Sequence, residues 1–522
     1  MPREQLVLFA DTLEDRIPRD HPVRILDEIL DSLDWSEWES EYHGSSGQPP
    51  IHPSVLCKVL LFAIVRGIRS SRKIEYSIRH SIDFIWLASG RTIDHATLSN
   101  FRRDHKGRLK KIYRDMVRLA INLKVAKLSE LCIDGSRVLA NANRYKTLTA
   151  KKTERLIEEL DKQIASALGE LDSSDQLDEF FDDGQPADKL PESLRDMQER
   201  QKQLKEALEK LQQMDADRAN WVKDPEKNPA QLPITDPDAR ILPNKEGGYA
   251  ANYTPMAVTE TKNGFIVGAD VVIGNVEHDC MPRMVETIVN EFDQKVETVM
   301  ADTAYPTGPN LTEMERLKVE LLAPLAEPKC EDNPALREDP TAAVAEEDVD
   351  RLPVNSQTKR LDKTAFVYDQ EQDCYYCPAG KKMPRSGSEK KKKPSGQVSV
   401  QVIYTCNECA GCPLADRCRR SPNAKKGRRV THDVHEAARR RHRERMRTPE
   451  AAAEYKRRQH IGETPFAVLK ACFGLRQFLL RGLEGVQTEW LWHCTAFNLK
   501  KLMSFWGALR SEATENGEMA AA

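Results

Sequence analysis

Apolar residues recur at helical spacing through the first 125 positions. Val55, Leu56, Val59, Leu60, Ala63 and Ile64 form one such set, which stops at Gly67; Ser70 and Ser71 then offer caps for a second helix. A third segment follows Asp94, where Thr97 or Ser99 would cap a helix bearing Arg102, Arg103, Lys106 and Arg108. The pattern predicts an all-α N-terminal domain over 1–125, arranged like a helix-turn-helix whose basic last helix contacts DNA. The competing expectation is a helical bundle with a merely solvated basic face.

Strand-like patterning takes over next. Leu131 to Ile133 reads as a short buried strand ending at Asp134. Met256 to Thr259 and Phe265 to Ile273 read as two more, joined where Lys262, Asn263 and Gly264 predict a tight hairpin with positive φ angles. Met284, Ile288 and Phe292 mark an amphipathic helix, Val299 to Ala301 a strand ending at Asp302, and Val319 to Ala323 another strand. This alternation predicts an α/β mixed-sheet core over 126–325, completed by 448–506. Two insertions interrupt it. Leu194, Met197, Gln201, Leu204, Leu208 and Leu211 make a heptad seam with Leu156, Leu160, Ile164 and Leu168 as partners, predicting a helical hairpin over about 150–220 joined by an acidic loop. The Cys-rich stretch 326–447 reads mostly as loop, and 507–522 as a disordered tail.

Composition limits the partners. Across 522 residues, 39% are hydrophobic and 31% charged, and the mean hydropathy is -0.61. The longest apolar run, Val59 to Val65, is far below the roughly 20 residues that cross a bilayer, so no membrane contact is expected. Charged residues stand where an apolar leader would lie, so a cytoplasmic, nucleoid-associated location with reduced thiols is expected. A net charge of -3 argues against a uniformly basic nucleic-acid binder, but the charge is segregated. Glu170 to Leu190 holds eight acids and one Lys, whereas Arg419 to Arg458 holds fifteen Lys or Arg against five acids. The basic stretch, including Arg440 and Arg443, is a candidate phosphate-binding surface.

Asp134 and Asp302 carry the candidate chemistry. Each ends a short strand, and strand ends from distant parts of a chain converge at a sheet's carboxyl edge. Carboxylates brought together repel unless a cation neutralises them, as hard divalent ions do. For an arbitrary pair of aspartates a surface or capping role is commoner, so the surrounding residues matter. Asp134 lies in Cys132-Ile133-Asp134-Gly135-Ser136-Arg137, leading into Ala140-Asn141-Ala142-Asn143-Arg144. Asp302 lies in Val299-Met300-Ala301-Asp302-Thr303-Ala304-Tyr305. Late in the chain Glu463 precedes Lys470 by seven residues. These motifs resemble those of insertion-sequence DDE transposases, the RNase H-like recombinases of bacterial mobile elements. Further segments extend the likeness from roughly Pro18 to Leu502: Asp236-Pro237-Asp238-Ala239-Arg240, Gly247-Gly248-Tyr249 and Asn498-Leu499-Lys500-Lys501-Leu502. The subgroup resembled has a long helical N-terminal domain and a cysteine cluster before the catalytic Glu.

The resemblance implies an RNase H-like mixed-sheet catalytic core in which Asp134, Asp302 and Glu463 hold two Mg²⁺ or Mn²⁺ ions about 4 Å apart. It implies hydrolysis of a phosphodiester at the element's ends, followed by attack of the freed 3′-hydroxyl on target DNA, by a homodimer on paired ends. Lys470 would contact a phosphate, the alternative being an ordinary solvated helix lysine. Tyr455 and Arg458 correspond to the family's Tyr and Arg only with a shift of one residue, since Lys456 and Gln459 occupy the family spacing. Two rival functions share these residues: an RNase H-like nuclease without strand transfer, and a DNA-binding regulator without catalysis.

Twelve cysteines are present, and six crowd into the 45 positions from Cys374 to Cys418. Their C-x-x-C spacing suits a tetrahedral Zn²⁺, while an iron–sulfur cluster or free buried thiols remain alternatives. The family resemblance favours Cys377, Cys409, Cys412 and Cys418 as structural Zn²⁺ ligands, leaving Cys374 and Cys406 as spares.

Overall fold

The computed structural model describes residues 12–39, 51–143, 145–172, 192–218, 222, 224, 226–244, 247–274, 277–325, 333–392, 398–421 and 426–515. The N-terminal part folds into helices α1 (Pro22–Asp31), α2 (Ser36–Glu39), α3 (Pro53–Val65), α4 (Ser71–His80), α5 (Ile82–Leu87), α6 (His95–Asp104) and α7 (Lys106–Asn122). Asp94 caps α6 by accepting from the Thr97 amide, so Thr97 is the capped residue and not the cap. The basic helix is only partly a surface. Arg102, expected to face DNA, is 8% exposed and donates to the Arg69 carbonyl at 2.8 Å. Its own carbonyl accepts from the buried Trp492 indole at 3.0 Å. Leu98 and Phe101 draw that face inward, and only Arg103 stays exposed, paired with Asp104.

A seven-stranded mixed sheet follows: β1 (Glu130–Gly135), β2 (Val138–Leu139), β5 (Arg240–Pro243), β6 (Tyr249–Glu260), β7 (Ile266–Val272), β8 (Thr298–Met300) and β9 (Glu320–Leu322). A separate pair joins β3 (Thr147–Leu148) to β4 (Leu232–Pro233). Through its centre the sheet runs β7-β6-β1-β8-β9; β6 is antiparallel to β7 and β1, while β1, β8 and β9 are parallel. Helices α10 (Met281–Phe292) and α11 (Gly308–Arg316) connect the parallel strands. The β6–β7 turn is not the two-residue hairpin the Asn-Gly pair predicts. Only Gly264 has a positive φ, and the buried Glu260 carboxylate instead gathers the amides of Lys262, Asn263 and Phe265 at 2.8–3.0 Å.

Helices α8 (Ala150–Asp172) and α9 (Glu192–Arg218) form the hairpin, with Leu160 and Ile164 packed on Leu194 and Met197. The predicted acidic connection, 173–191, lies outside the described residues. A larger correction concerns 326–447. This stretch is not mostly loop: β10 (Val367–Asp369), β11 (Cys374–Tyr376), β12 (Lys382–Lys392), β13 (Val398–Thr405) and β14 (Arg429–Asp433) form an antiparallel sheet, with α12 (Ala415–Cys418) beside it. The sheet has its own core of Phe366, Tyr375, Met383, Tyr404, Val430 and four cysteines. Its lysine-rich strand β12 points largely to solvent, which is why it reads as loop.

Helices α13 (Glu436–Met446), α14 (Pro449–Tyr455), α15 (Arg458–Ala471) and α16 (Gly482–Glu515) complete the chain. Trp490 and Trp492 on α16 are 1% exposed and pin it between the sheet and α6. The helix runs past residue 507, where a tail was expected, because Phe505 and Trp506 still pack on the main core; 516–522 lie outside the described residues. That core is continuous from Val23 through the sheet to Leu502, so the N-terminal helices and the sheet share one interior.

Candidate active site

The parallel pairing of β1 with β8 matches Glu130 to Thr298 and Cys132 to Met300. Asp134 stands two residues past Cys132 within β1, and Asp302 lies two residues past Met300, just beyond the end of β8, so the two aspartates stand at the same end of neighbouring parallel strands. Side chains alternate with period two, so both aspartates share a sheet face with Cys132 and Met300. Beneath α14 and α15, that face is lined by Cys132, Met300 and Leu322, packed on Ala451, Tyr455 and Ile461. Their charges interact, since the Asp302 carboxylate helps to raise the pKa of Asp134.

Helix α15 crosses directly over Asp134. A Cβ on Gly462 would stand 3.1 Å from Cys132 Sγ and 3.3 Å from Asp134 Oδ2, so only glycine permits so close an approach. Glu463 is the next residue and is exposed at the edge of this contact. One turn back, Arg458 Nη2 lies 3.4 Å from Asp134 Oδ1. Further along, Lys470 Nζ donates to Ser136 Oγ at 2.6 Å and to the Arg137 carbonyl at 2.9 Å, fixing α15 to the end of β1.

The electrostatics follow from this packing. Burial pushes the Asp134 carboxyl above the ordinary carboxylate range, Arg458 and the Gly135 amide oppose it, and repulsion from Asp302 and Glu463 adds to it. Arg458 is shifted up by Asp134 and Asp302 despite its own burial. Burial likewise raises Tyr455, and the nearby Arg458 charge opposes the rise. Arg458, which also fits a DNA contact, therefore stands beside the Asp134 carboxylate, with Tyr455 one turn before it. Among the described residues, no three His, Cys, Asp or Glu side chains close around a common point as a metal-binding set. The fold brings Asp134, Asp302 and α15 together, with Arg458 supplying the positive charge.

Much of the basic stretch is engaged internally. On α13, Arg439 pairs with Asp433 at 2.7 Å, Arg441 with Glu315 at 2.7 Å, and Arg445 with Glu320. Arg440 stacks over Tyr368 at 4.2 Å and reaches Glu436 at 3.3 Å. These contacts fasten α13 to α11, β9 and the small sheet, so the stretch presents less free charge than its composition suggests. Arg443 lines a cavity of about 250 Å³ with Lys363, Phe366, Tyr368 and Arg447.

The cysteines also regroup. Cys377, Cys406, Cys409, Cys412 and Cys418 line one cavity of about 20 Å³. Cys374 stands apart from them, beside Tyr376 on the sheet. Cys406, expected to be a spare, lines the same cavity, and its carbonyl accepts from Cys409 Sγ at 3.6 Å. The neighbouring Cys406 thiol, with the Lys381 amide at 3.3 Å, holds the Cys377 thiol below the ordinary thiol range. Cys409 Sγ accepts from the Arg428 amide at 3.4 Å. Spacing alone could not choose between Cys406 and Cys412, because Cys406 makes a C-x-x-C pair with Cys409 just as Cys409 does with Cys412.

Two family models match parts of the chain. Residues 376–503 match the model of the Transposase DDE domain, and residues 11–104 match the model of a Transposase domain (DUF772). These matches support an insertion-sequence DDE transposase. No curated protein matches the chain. The DDE match contains Glu463 and Lys470, whereas Asp134 and Asp302 lie before it. In the transposase these outlying aspartates reach the matched segment through β1, β8 and α15. Glu277, which the sequence does not single out, opens the short turn that leads into α10. Gly135 is its neighbour in space: a Cβ there would lie 3.1 Å from Glu277 Oε2.

Proposed function

We propose that this transposase hydrolyses a phosphodiester at each end of a bacterial insertion sequence and then uses the freed 3′-hydroxyl to attack target DNA. The observation that carries the reading is the parallel pairing of β1 with β8, whose carboxyl ends lead to Asp134 and Asp302, with α15 packed directly on Asp134. The strand order β7-β6-β1-β8-β9 supports an RNase H-like core. The donors suit a hard divalent ion, since they are carboxylate oxygens with the buried, unpartnered Tyr305 hydroxyl close by. Asp134, Asp302 and Glu463 would hold Mg²⁺ or Mn²⁺. Two such ions, when bound, supply Lewis-acid activation of the attacking hydroxyl and stabilisation of the leaving oxygen.

The chain's own residues do the rest. Arg458 neutralises the aspartates before DNA arrives, and Lys470 holds the end of β1 where a phosphate would enter. Arg103 and Arg443 are the basic residues we assign to the DNA backbone. Cutting two ends together calls for a homodimer acting on the nucleoid. Cys377, Cys406, Cys409 and either Cys412 or Cys418 would hold a structural Zn²⁺, because amides already donate to two of the sulfurs as they do to thiolates.

The test is incubation of a supercoiled plasmid carrying the gene and its flanking DNA with the protein and Mg²⁺. Wild type should nick at discrete flanking positions and form joined products. Asp134→Asn, Asp302→Asn and Glu463→Gln should each abolish nicking while retaining DNA binding. Nicking without joining would favour the plain nuclease, and wild-type-like nicking by Asp134→Asn would overturn the reading.

A further inference from the structure

The N-terminal helices are layered. Eleven of the thirteen residues of α3 are buried, so it forms the centre of this part of the chain. Helices α5 and α6 pack against α3, and α4 packs against α5 and α6, which leaves α4 outermost. Its sequence suits that place. In Ser71–His80 only Ile74 and Ile78 are buried, one turn apart, so a narrow apolar stripe holds the helix and the rest of its circumference is free. Glu75, the one acid on α4, is turned towards α6, where it accepts from the His95 amide at 3.1 Å and meets the His95 ring at 2.7 Å. That contact fixes which face of α4 points outward.

The outward face has an aromatic centre and a basic rim. Tyr76 is 65% exposed, with Arg72 and Lys73 four and three residues before it and Arg79 and His80 three and four after it, all exposed. On a helix those four positions surround the central one. The Tyr76 and His80 rings stand 4.2 Å apart, and Arg79 reaches back to Glu75 at 2.5 Å. Arg72 and Lys73 make no ion pair or hydrogen bond among the described residues. A face that only meets water has no use for an exposed phenol amid cations, whereas a polyanion with readable edges uses both. Duplex DNA is such a partner, and its major groove, about 12 Å wide, admits one helix. The basic helix α6 is less suited, because Arg102 is spent on the Arg69 carbonyl and Arg103 on Asp104.

We propose that α4 is the helix that enters the major groove of the element's end DNA, with Arg72 and Lys73 on phosphates at the groove's rim and Tyr76 against base edges. The inference rests on the reading of the chain as a transposase that binds its own ends. Its test is fluorescence anisotropy of the full-length protein, without Mg²⁺, on overlapping duplexes cut from the DNA flanking its gene and on a scrambled duplex of equal length. The Arg72→Ala/Lys73→Ala double variant should weaken both kinds of duplex alike and lower the slope of log binding constant against log salt by about 2. Tyr76→Ala should weaken the preferred flanking duplex at least about fivefold and leave the scrambled one unchanged. Lys295→Ala, exposed and paired with Glu297, should bind like wild type. Urea unfolding should be unaltered in every variant, because the altered side chains are exposed. If wild type binds DNA and the double variant binds equally well with an unchanged slope, the role of α4 is refuted and the transposase reading stands. If wild type prefers no flanking duplex, or Tyr76→Ala keeps the preference, the base contact is refuted. If wild type binds neither duplex, the transposase reading falls with the proposal. Should the double variant not fold, Arg72→Gln/Lys73→Gln keeps the side-chain length, and an unchanged salt slope in that variant refutes the role equally.

Discussion

Gly462→Ala probes the contact on which the site depends. The added methyl would sit 3.1 Å from Cys132 Sγ, 3.3 Å from Asp134 Oδ2 and 3.4 Å from Asp134 Cβ, so α15 or β1 must give by a few tenths of an ångström. Leu131, Cys132 and Ile133 are all 0% exposed, which leaves the strand nowhere to retreat. Glycine to alanine inside a helix normally stabilises by about 1 kcal/mol. Overpacking costs about 1–3 kcal/mol, so the net change should be a loss of up to about 2 kcal/mol, measured by urea unfolding. Catalysis should suffer more, because α15 carries Glu463 and Lys470: DNA nicking should fall by at least about tenfold with binding intact. In α7, Gly107 has nothing within 4 Å of its Cβ position, so Gly107→Ala is the matched control and should be neutral or stabilising. A Gly462→Ala protein about 1 kcal/mol more stable than wild type, with unchanged nicking, would refute the close packing of α15 on Asp134.

Other outcomes follow from the same geometry. His493 is fully buried on α16 with an unpartnered Nε2, and burial lowers its pKa to about 4. Its contribution to stability should be complete above pH about 6.5 and fall on the order of 3 kcal/mol as pH drops towards 4, with His493→Gln flattening that part of the unfolding profile. Cys406→Ser should release or prevent bound zinc, measured by metal analysis of the purified protein, whereas Cys374→Ser should retain it. Lys470→Ala should reduce the slope of log binding constant against log salt by about 1, while Arg441→Ala, already paired with Glu315, should leave the slope unchanged.

Local patterning revealed the elements well wherever burial was one-sided. Met284, Ile288 and Phe292 marked α10, and the short runs ending near Asp134 and Asp302 marked β1 and β8, because a face against a core imposes a period. The small sheet escaped because its strands carry lysines and prolines, and its core is assembled from residues such as Tyr375 and Tyr404 that are distant in sequence. Arg102 was misread for a related reason: an arginine between Phe101 and Arg103 looks solvated until the Arg69 carbonyl comes across to receive it. At the site, motifs identified Asp134, Asp302 and Glu463. Glu277 had no motif of its own, and only the folding of its turn against Gly135 brings it to the aspartates. Pairing partners of the basic stretch, Glu315 and Glu320, were equally invisible because they lie over 100 residues upstream.

The central claim is that Asp134 and Asp302, brought to the same end of neighbouring strands by the pairing of β1 with β8, share a divalent cation. Anomalous diffraction at the manganese edge from crystals grown with Mn²⁺ tests it directly. The account predicts a peak about 2.2 Å from an oxygen of each aspartate. A peak elsewhere, with Arg458 still against Asp134, would contradict it.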